Sequence, residues 1–490
     1  MKALFINPNL GGAPSLNLGL AYVISAAQEK HEVKLLDLNF SGLNRLKRVR
    51  DEIQVFRPAV IAFSATTFTF PESLRIANFI KNTFPGILVV FGGVHPTLLA
   101  QETIGEPAVD AICIGEGERS FPEYLDRLSL AQEPAVAGIW YKDKCGSVQR
   151  NEPRPFREDI DSLAFPDWDH WELEKYLQTN LYYLPGALKF LASRGCPYDC
   201  SFCSNQAIKK IIPGNYYRVR SPEALIAEIK FNHEKYAARG FKSIVFGDEI
   251  FGLDPGWLRE FCASYQKEVL SYKLPWSVST RADLVTQEWA FTVAAAGCRM
   301  VMLGVESGDD WIRTQVYKKE ISREEITSAA VNLRNQGVPF GFYLLVGCPQ
   351  DSRSSIRASL RLVQKLKPVV SHFSFYQPLP GTDLLSSVES RLWGKHRELD
   401  GYWNVPRIST FNLSRASLCR LMWVIRLMES IRFLKLGWEL KKIIFIADIF
   451  KYFLAPANWK NLLLVKLHFK SDLQQKTIFK YIAQTKGANL

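Results

Sequence analysis

The sequence of 490 residues contains no long uninterrupted run of apolar side chains. A helix that spans a bilayer needs about 20 consecutive, predominantly apolar residues. The opening stretch MKALFINPNLGGAPS has only a short apolar run before polar and small residues, which predicts a first strand and no secretory signal. We therefore expect no membrane-spanning helix and a cytoplasmic location.

Two further absences limit the classes of function. The chain has no dense block of Lys and Arg interleaved with aromatic residues, although its formal net charge is +12. Nucleic-acid-binding surfaces typically combine these features, so we expect no nucleic-acid partner. The basic excess also suits an anionic membrane surface or an acidic substrate. Nine cysteines without an export signal indicate a reducing compartment and argue against a disulfide framework.

What the chain does contain is enough apolar sequence for more than one folded core. The hydrophobic fraction is 47% and the charged fraction is 22%, as in globular proteins. A single hydrophobic core stops growing beyond roughly 250–300 residues, so we expect about two or three domains.

Residues 1–135 alternate short apolar strands with helical patterns such as 18–30 and 71–84. Near-continuous apolar strands are typical of a parallel sheet covered on both faces. We therefore expect an α/β fold that begins with a Rossmann-like, doubly wound parallel sheet, with ligand-binding loops along one edge. The predicted strands are 2–8, 32–38, 59–65, 87–93 and 111–117.

Residues 136–185 are rich in Pro, Asp and Trp without a clear period, which predicts a linker. A second alternating series follows at 186–395. Its strand–helix units predict a partial (β/α)6 barrel of the TIM type, with chemistry at the carboxyl ends of the strands. The predicted strands lie within 187–195, 243–252, 275–284, 300–308, 339–349 and 370–382.

Residues 396–490 form a basic region with helical patterns. Its mixture of Leu, Ile, Phe and Trp with Lys and Arg suits a helix pair packed over the barrel mouth. It also suits helices that make peripheral contact with an anionic membrane, in which case a lipid-like substrate becomes attractive. We favour packing over the barrel and keep the membrane contact as the alternative.

Three cysteines, Cys196, Cys200 and Cys203, lie close together in the segment LASRGCPYDCSFCSNQA. A structural zinc site uses four ligands, usually in two C-x2-C pairs, and no second pair is present. A dithiol redox pair would explain Cys200 and Cys203 but not Cys196. Cubane iron–sulfur clusters normally take four thiolates, so three cysteines would leave one iron free to hold a substrate. We therefore favour a three-cysteine iron–sulfur cluster.

The C-x3-C-x2-C spacing, with the aromatic Phe202 before the last cysteine, resembles the radical S-adenosylmethionine superfamily. The resemblance implies a 4Fe-4S cluster whose open iron chelates S-adenosylmethionine and cleaves it reductively. The resulting 5′-deoxyadenosyl radical abstracts a hydrogen atom from the substrate. The cofactor supplies the difficult chemistry, and the protein supplies position and exclusion of water.

The same resemblance places contacts to S-adenosylmethionine at the ends of the later strands. It implies carboxylates for the amino group, a cation for the carboxylate, polar groups for the ribose and a glycine beside the adenine. Each residue also has an ordinary structural interpretation, such as a surface carboxylate, a salt bridge or a turn. The candidates are Phe202, Asp248, Glu249, Arg281, Glu306, Ser307 and Gly347.

The α/β domain ahead of the cysteines, with LGLAYV, GGVHPT and GEGE in order, resembles the cobalamin-binding radical S-adenosylmethionine enzymes. The resemblance covers residues 1 to about 395 and implies cobalamin over the strand ends. Ordinary turn chemistry would explain the same residues equally well. The candidates are Ser64, Thr66, Gly92, Gly93, His95, Thr97, Gly115, Glu116 and Gly117.

Two departures refine this resemblance. The chain has no D-x-H-x-x-G stretch to supply a histidine below the cobalt, and we expect His95 to be a loop former. Cobalamin is therefore expected without a histidine on its lower face, although a domain without cobalamin stays open. The methylthiotransferases, a related family, need three cysteines in the first domain, and this chain has only Cys113 and Cys145 before residue 190.

We therefore expect a cobalamin-dependent radical S-adenosylmethionine enzyme that methylates an unactivated carbon or phosphorus centre. The alternative is a radical cyclase, rearrangement or oxidation enzyme without methyl transfer. A third hypothesis is a non-catalytic cobalamin-binding or sensory protein whose cluster is structural. The expected partners are a small-molecule or lipid-like substrate and an electron donor of the flavodoxin or ferredoxin type.

Overall fold

The computed structural model describes residues 1–8, 15–41, 44–178, 184–392 and 406–434. In the first part of the chain, apolar strands alternate with helices, as the sequence predicts. The strands are β1 Lys2–Asn7, β2 Glu32–Asp37, β3 Val60–Ser64, β4 Leu88–Gly92, β5 Ala111–Cys113, β6 Ile139–Lys142 and β7 Val148–Arg150. The helices are α1 Leu18–Gln28, α2 Arg45–Phe56, α3 Phe70–Thr83, α4 Val94–Leu98, α5 Ala100–Gly105 and α6 Gly117–Ser129.

These strands form one sheet in the order β2-β1-β3-β4-β5-β6-β7. Strands β1 to β5 pair in parallel, which confirms the doubly wound sheet. Strands β6 and β7 add an antiparallel pair at the edge beside β5. The linker expected at 136–185 is therefore shorter than predicted, because the sheet continues to Arg150.

Successive side chains of β1 point to opposite faces of the sheet, and helices cover both faces. Phe5 lies on one face and packs against Phe121 of α6, with ring centroids 5.3 Å apart. Leu4 and Ile6 lie on the opposite face, in a separate core cluster with Ile76 of α3. Both faces of a parallel strand are thus buried, as its near-continuous apolar sequence requires.

The linker binds both domains. Its described part contains α7 Leu173–Leu177. The backbone N of Asp167 donates to Ser25 Oγ of the first domain at 2.9 Å, and the backbone N of Trp168 donates to Tyr236 Oη of the second at 3.1 Å. Trp168 is only 1% exposed and belongs to a hydrophobic cluster with members from both domains.

The second part of the chain again alternates strands and helices. The strands are β8 Ala187–Phe190, β9 Ser193–Arg194, β10 Arg218–Val219, β11 Ser243–Phe246, β12 Trp276–Thr280, β13 Cys298–Glu306, β14 Phe340–Val346 and β15 Val370–Phe375. The helices are α8 Asn205–Ile211, α9 Pro222–Tyr236, α10 Pro255–Glu268, α11 Gln287–Ala295, α12 Arg323–Asn335, α13 Arg353–Leu366, α14 Asp383–Ser386 and α15 Arg415–Leu434.

Six of these strands form a parallel sheet in the order β15-β14-β13-β12-β11-β8. This topology confirms the partial barrel, and its parallel pairing brings the carboxyl ends of the strands to one rim. Strands β9 and β10 form a separate antiparallel hairpin just before and after the cysteine segment.

The basic C-terminal region is described only in part. Helix α15 packs its Leu418 and Met422 into the core beside β15. The remaining basic segment, 435–490, lies outside the described residues. In the ranges given above, no helix combines the length and the apolar character needed to cross a bilayer.

Candidate active site between two strand-end edges

The three cysteines lie on a loop that directly follows β9. Gly195 precedes Cys196 with a φ of +81°, and a Cβ atom there would lie 2.2 Å from the carbonyl oxygen of Tyr216. Only glycine fits this close approach of two backbone segments. The loop then turns back on itself, because the backbone N of Cys203 donates to the carbonyl oxygen of Cys200 at 3.0 Å.

The barrel holds this loop from below. Ser201 donates from its backbone N to the carbonyl oxygen of Tyr317 at 2.9 Å and from its Oγ to the carbonyl oxygen of Val316 at 2.5 Å. Phe202 packs edge-on against the Tyr317 ring, with centroids 5.1 Å apart. Two consecutive residues of the loop are thus anchored, so the flanking cysteines have defined positions.

The three thiols are half-buried. Burial raises the pKa of Cys196 and of Cys200, and it raises the pKa of Cys203 to about 12. The mutual repulsion of the thiolates raises the pKa of Cys203 further. Bound iron is the kind of positive charge that makes such thiols ionise.

The donor set fits a cluster. Among the described residues, no three side chains of His, Cys, Asp or Glu converge on a position for one metal ion. A cubane cluster takes each thiolate at a different iron, so it does not require that convergence. Cys196, Cys200 and Cys203 would hold the cluster.

Charged side chains from three strand ends surround the cysteine loop. Lys319 and Arg281 are close enough to lower the pKa of Cys200, which Glu306 raises. The exposed Glu249 raises the pKa of Cys196 and of Cys203. The structure therefore brings together three of the charged residues predicted from sequence and adds Lys319.

Glu306 and Lys319 form a buried ion pair at the end of β13. The Lys319 Nζ atom lies 2.9 Å from Glu306 Oε1, and the two side chains are only 8% and 11% exposed, respectively. A Cβ atom at Gly304 would lie 2.6 Å from that Nζ, so the missing side chain leaves the space the ammonium occupies. Glu306 has a φ of +61°, a left-handed conformation rare for residues other than glycine. Such strain persists where surrounding contacts hold it, as at ligand sites.

Arg281 lies at the end of β12 against the cysteine loop. Its guanidinium stacks on the ring of Tyr198, 3.6 Å from the centroid, and Tyr198 stands between Cys196 and Cys200 in sequence. The same guanidinium donates to Asp283 and to the carbonyl oxygen of Glu320. Arg281 is therefore a fixed cation beside the cysteine loop, as the sequence predicts.

The neighbouring carboxylates Asp248 and Glu249 have different environments. Asp248 is buried and accepts from the backbone N of Ser193 at 2.5 Å, from Ser193 Oγ at 2.6 Å and from the backbone N of Ala192. Burial raises the pKa of Asp248 to about 7. Its carboxylate thus fixes the β8–β9 turn, and its contact with S-adenosylmethionine stays a prediction, whereas Glu249 is exposed beside the thiols.

Ser307 and Gly347 also have structural contacts of their own. The Ser307 Oγ accepts from the backbone N of Asp309 at 3.2 Å, as in a serine turn. Gly347 has a φ of +92°, and a Cβ atom there would lie 3.3 Å from Leu418 of α15. The glycine thus permits a turn and close packing of α15.

Glycines shape the strand-end edge of the first domain. Gly93 has a φ of +95°, and a Cβ atom there would lie 2.9 Å from the carbonyl oxygen of Ala65. Gly115 also has a positive φ, +81°. Thr97 links the two turns, because its Oγ1 donates to the carbonyl oxygen of Gly93 at 2.8 Å and accepts from the backbone N of Gly115 at 3.0 Å.

The side chains at the end of β3 remain on this edge. Ser64 is half-buried, and the exposed Thr66 bonds through its backbone N to Thr69 Oγ1 at 2.9 Å. These residues, with the neighbouring Gly93, belong to the described part of the strand-end edge for which cobalamin is predicted. Residues 9–14, which follow β1 along the chain, lie outside the described residues.

His95 lies in helix α4 and is not the loop former that the sequence suggested, because the residues around Pro96 form a helical turn. Its ring stacks on Phe70 with centroids 3.9 Å apart, and it is 6% exposed. Burial lowers the pKa of His95 to about 4. The ring is packed inside the domain, and cobalamin without a histidine on its lower face stays a prediction.

The two other glycines of the expected set differ in how closely they are packed. A Cβ atom at Gly117 would lie 3.1 Å from Val23, so this glycine lets α6 approach α1. Gly117 begins α6, because the strand expected at 111–117 ends at Cys113. A Cβ atom at Gly92 would make only ordinary van der Waals contacts, so close packing does not require a glycine at this position.

Glu116 contacts the second domain directly. Its carboxylate accepts from Arg194 at 3.0 Å and from Arg218 at 2.8 Å and 2.9 Å. Despite burial, the two guanidinium groups hold the pKa of Glu116 below its usual range. Both oxygens thus bond protein cations across the domain interface, and the expected cobalamin contact of Glu116 stays a prediction.

The strand-end edge of the first domain packs against α8, the helix that follows the cysteine loop. A Cβ atom at Gly115 would lie 3.1 Å from Ile212, which follows α8, and α8 follows the cysteines. A Cβ atom at Gly381 would lie 2.8 Å from Ala207 of α8 and 3.8 Å from Leu98 of α4. The expected cobalamin edge and the expected cluster loop are therefore adjacent.

One aromatic pair lies on the inner face of the barrel. Phe342 and Leu344 of β14 are buried against the outer helices, so the intervening Tyr343 points inward, where it is 38% exposed. Its ring stacks on His372 of β15, with centroids 5.7 Å apart. Below them, Met302 and Val370 close the floor.

Comparison with known protein families gives the decisive observation. The model of the B12 binding domain matches residues 12–125, and the model of the radical SAM superfamily matches residues 190–363. The chain belongs to the cobalamin-dependent radical S-adenosylmethionine enzymes. The cofactors of these enzymes are cobalamin, a 4Fe-4S cluster and S-adenosylmethionine.

Relatives of this radical S-adenosylmethionine enzyme match most of its chain. An uncharacterized methyltransferase of Pyrococcus horikoshii is 28% identical over 85% of this chain and 90% of its own. The anaerobic magnesium-protoporphyrin IX monomethyl ester cyclase of Rubrivivax gelatinosus is 26% identical over 80% of this chain and 71% of its own. The structure of the cobalamin-dependent enzyme OxsB, with aqua-cobalamin and S-adenosylmethionine bound, has a TM-score of 0.71 at 17% identity, over 100% of this chain and 80% of that one.

Sequence reasoning missed several residues of this radical S-adenosylmethionine site. Lys319 follows Glu306 by 13 positions with no recognisable spacing, so nothing local revealed the pair. Tyr198 was visible as an aromatic residue between two cysteines, which could have indicated a stacking partner for a cation. Tyr343 could have been found from strand alternation, because it lies between the buried Phe342 and Leu344, and His372 is its partner on the neighbouring strand.

Proposed function

We propose that the protein transfers a methyl group to an unactivated carbon or phosphorus centre of a small-molecule substrate. The observation that carries the proposal is that the cysteine loop and the strand-end edge of the first domain lie next to each other. The cysteine loop suits a cluster with one open iron. Ile212, at the end of the helix α8 that follows this loop, packs against Gly115 on the strand-end edge of the B12-binding domain. When bound, the cluster and cobalamin supply reductive cleavage of S-adenosylmethionine and methyl transfer, respectively.

The charged residues around the loop would bind and orient S-adenosylmethionine. Arg281 is fixed by its stacking on Tyr198 and by Asp283, so it presents a cation for a carboxylate without having to be ordered on binding. Glu249 offers an exposed carboxylate for an ammonium group. The buried Glu306–Lys319 pair keeps a polar surface at the end of β13, where a ribose hydroxyl would find a donor and an acceptor.

The substrate would bind on the inner face of the barrel. The stacked rings of Tyr343 and His372 lie on this face, and Met302 and Val370 form an apolar layer below them. Aromatic rings favour a substrate with a planar or compact face, because such groups stack without losing many rotamers. Enclosure by the strands also excludes water from reactive intermediates, as radical chemistry requires.

The electron would come from a small acidic donor of the flavodoxin or ferredoxin type. The chain's net charge of +12 favours encounter with such a protein, because opposite charges raise association rates. Salt should then slow reduction by the protein donor but have little effect on reduction by dithionite. A rate of protein-mediated reduction that is independent of salt would contradict this part of the proposal.

The cofactors provide the first test. Protein reconstituted with iron and sulfide without oxygen, and supplied with hydroxocobalamin, should bind both cofactors with the spectrum of each. Reduced protein should then cleave S-adenosylmethionine to 5′-deoxyadenosine. Uptake of zinc alone at the three cysteines would overturn the proposal, and so would protein that holds both cofactors and does not cleave S-adenosylmethionine.

A cyclisation or oxidation without methyl transfer is the second candidate, because the Rubrivivax relative is a cyclase. The products distinguish the two reactions. Methyl transfer converts S-adenosylmethionine to S-adenosylhomocysteine as well as to 5′-deoxyadenosine, whereas cyclisation yields 5′-deoxyadenosine only. Turnover that produces no S-adenosylhomocysteine would eliminate methyl transfer and leave the second candidate.

A further inference from the structure

One carboxylate joins the two domains beside the cysteine loop. Glu116 Oε1 accepts from Arg194 Nη1 at 3.0 Å and from Arg218 Nη2 at 2.8 Å, and Oε2 accepts from Arg218 Nη1 at 2.9 Å. The backbone N of Arg157 adds a contact at 3.3 Å. The Arg218 side chain is 4% exposed and the Glu116 side chain 23%, so water screens these charges weakly.

The two arginines belong to one small hairpin. Arg194 of β9 pairs directly with Arg218 of β10 in antiparallel register. Arg194 also donates to Glu118 at 2.6 Å, and its guanidinium lies 5.0 Å from the centroid of the Tyr22 ring. The hairpin is therefore held by several groups of the first domain: Tyr22, Glu116 and Glu118.

The hairpin leads straight into the cysteine loop. Only Gly195 separates Arg194 from Cys196, and its backbone is pressed against Tyr216, so the connection has little freedom. On the barrel side, Ser193 is tied to Asp248 at 2.5 Å and 2.6 Å. The start of the loop is thus fixed by the first domain through Arg194 and by the barrel through Ser193.

Glu116 is also close to the other cofactor's edge. It follows Gly115, whose turn is bonded to Thr97 and, through it, to Gly93. One residue therefore connects the glycine turns of the cobalamin-facing edge with the strand that enters the cluster loop. We propose that Glu116 is a positioning residue, which sets the distance between the cluster loop and the cobalamin edge. This inference rests on the proposed function.

Such a role predicts effects beyond stability. Transfer reactions between two bound groups are sensitive to position, and a misplacement of about 1 Å can reduce a rate by about 100-fold. Replacing Glu116 by Gln keeps the shape but removes the charge and turns one acceptor into a donor facing an arginine. The hairpin should then detach from the first domain while each cofactor keeps its own ligands.

The test uses protein loaded with both cofactors and reduced to cob(II)alamin and the paramagnetic cluster. Pulsed dipolar electron paramagnetic resonance then measures the distribution of distances between the two spins. We expect Glu116→Gln to shift and broaden this distribution, with unchanged iron and cobalamin content. Hydrogen exchange at the amides of β9 and β10 should accelerate by about tenfold or more, because charge-assisted hydrogen bonds are among the strong ones.

Glu72→Gln is the matched control. Glu72 also accepts from two arginines, Arg75 at 2.6 Å and Arg45 at 3.4 Å, but all three residues lie within the first domain. Its loss should affect stability without changing the distance between the spins. Glu118→Gln is the milder variant if Glu116→Gln does not fold, because Arg194 remains bonded to Glu116. A smaller shift of the distance in the same direction is then expected.

The outcomes separate this inference from the proposed function. Wild-type protein that takes up neither cofactor would refute the proposed function. Wild-type protein that loads both, with a spin–spin distance equal in Glu116→Gln, would refute only the positioning role. Faster hairpin exchange with an unchanged distance would also refute it, since Glu116 would then merely stabilise the hairpin.

Discussion

The ammonium group of Lys319 lies 2.9 Å from the carboxylate of Glu306 inside the second domain, and the side chains of both residues are about nine-tenths buried. The pair stands beside the cysteine loop, since both charges act on the thiol of Cys200. A buried ion pair contributes little net stability, but removing one member leaves an uncompensated charge. Replacing Lys319 should therefore destabilise the folded protein.

We predict that Lys319→Gln destabilises the protein by about 3–5 kcal/mol, because Glu306 would remain buried without its cation. Chemical denaturation measures this loss. The neighbouring Lys318 provides the control, since it pairs with Asp383 at the surface, where the side chains are 59% and 39% exposed. Lys318→Gln should change stability by no more than about 0.5 kcal/mol. Equal effects of the two substitutions would contradict the buried pair.

The cysteine loop makes a second prediction. Cys203→Ala should abolish cluster uptake, because two thiolates do not hold a cluster that normally takes four. Iron and sulfide analysis after anaerobic reconstitution measures the loss. Cys145→Ser is the control, since Cys145 is exposed in the first domain and should leave the iron content unchanged. Normal iron content in Cys203→Ala would remove this residue from the ligand set.

The turn at Gly93 makes a third prediction. Gly93→Ala should cost about 1–3 kcal/mol, because a Cβ atom would be forced into a left-handed conformation and against the Ala65 carbonyl oxygen. It should also weaken cobalamin binding, measured by titration of apoprotein with hydroxocobalamin. Gly105→Ala is the control, because that glycine lies in α5 with nothing within 4 Å of its Cβ position. Unchanged cobalamin affinity in Gly93→Ala would place the corrin elsewhere.

The buried His95 makes a fourth prediction, on pH. Burial lowers its pKa to about 4 from an ordinary value of 6.5. Between these values the unfolded chain binds a proton that the folded protein does not, so stability falls as the pH drops through this window. The contribution of His95 to the loss is about 3 kcal/mol.

His95→Phe keeps a ring against Phe70 but cannot titrate. Its stability should therefore depend less on pH than that of the wild type between pH 6.5 and about 4, the ordinary pKa of histidine and the pKa of His95 in the folded protein. Urea denaturation at several pH values gives the comparison. Above this window both rings are neutral, so the difference between the two proteins should be constant there. Parallel curves through the acid window would contradict the prediction.

The sequence predicted both sheets because their strands are buried on both faces. Strands such as β1 and β13 have near-continuous apolar segments, which is the local property that parallel pairing requires. The cysteines were also predictable, because their spacing is local and their chemistry is specific. Strand ends were less well placed, as at 111–117, since Gly115 and Gly117 fit either a strand end or a helix start.

By itself the sequence determined the order of the two domains, the parallel sheets and the three thiols, because each depends on residues close together along the chain. Only the tertiary structure decided how side chains at the strand ends are used. Glu116 and Asp248 are predicted ligand contacts, and folding gives each of them a protein partner from a distant segment, Arg218 and Ser193, respectively. A carboxylate bonds whichever donors folding brings near it, and that depends on the whole fold.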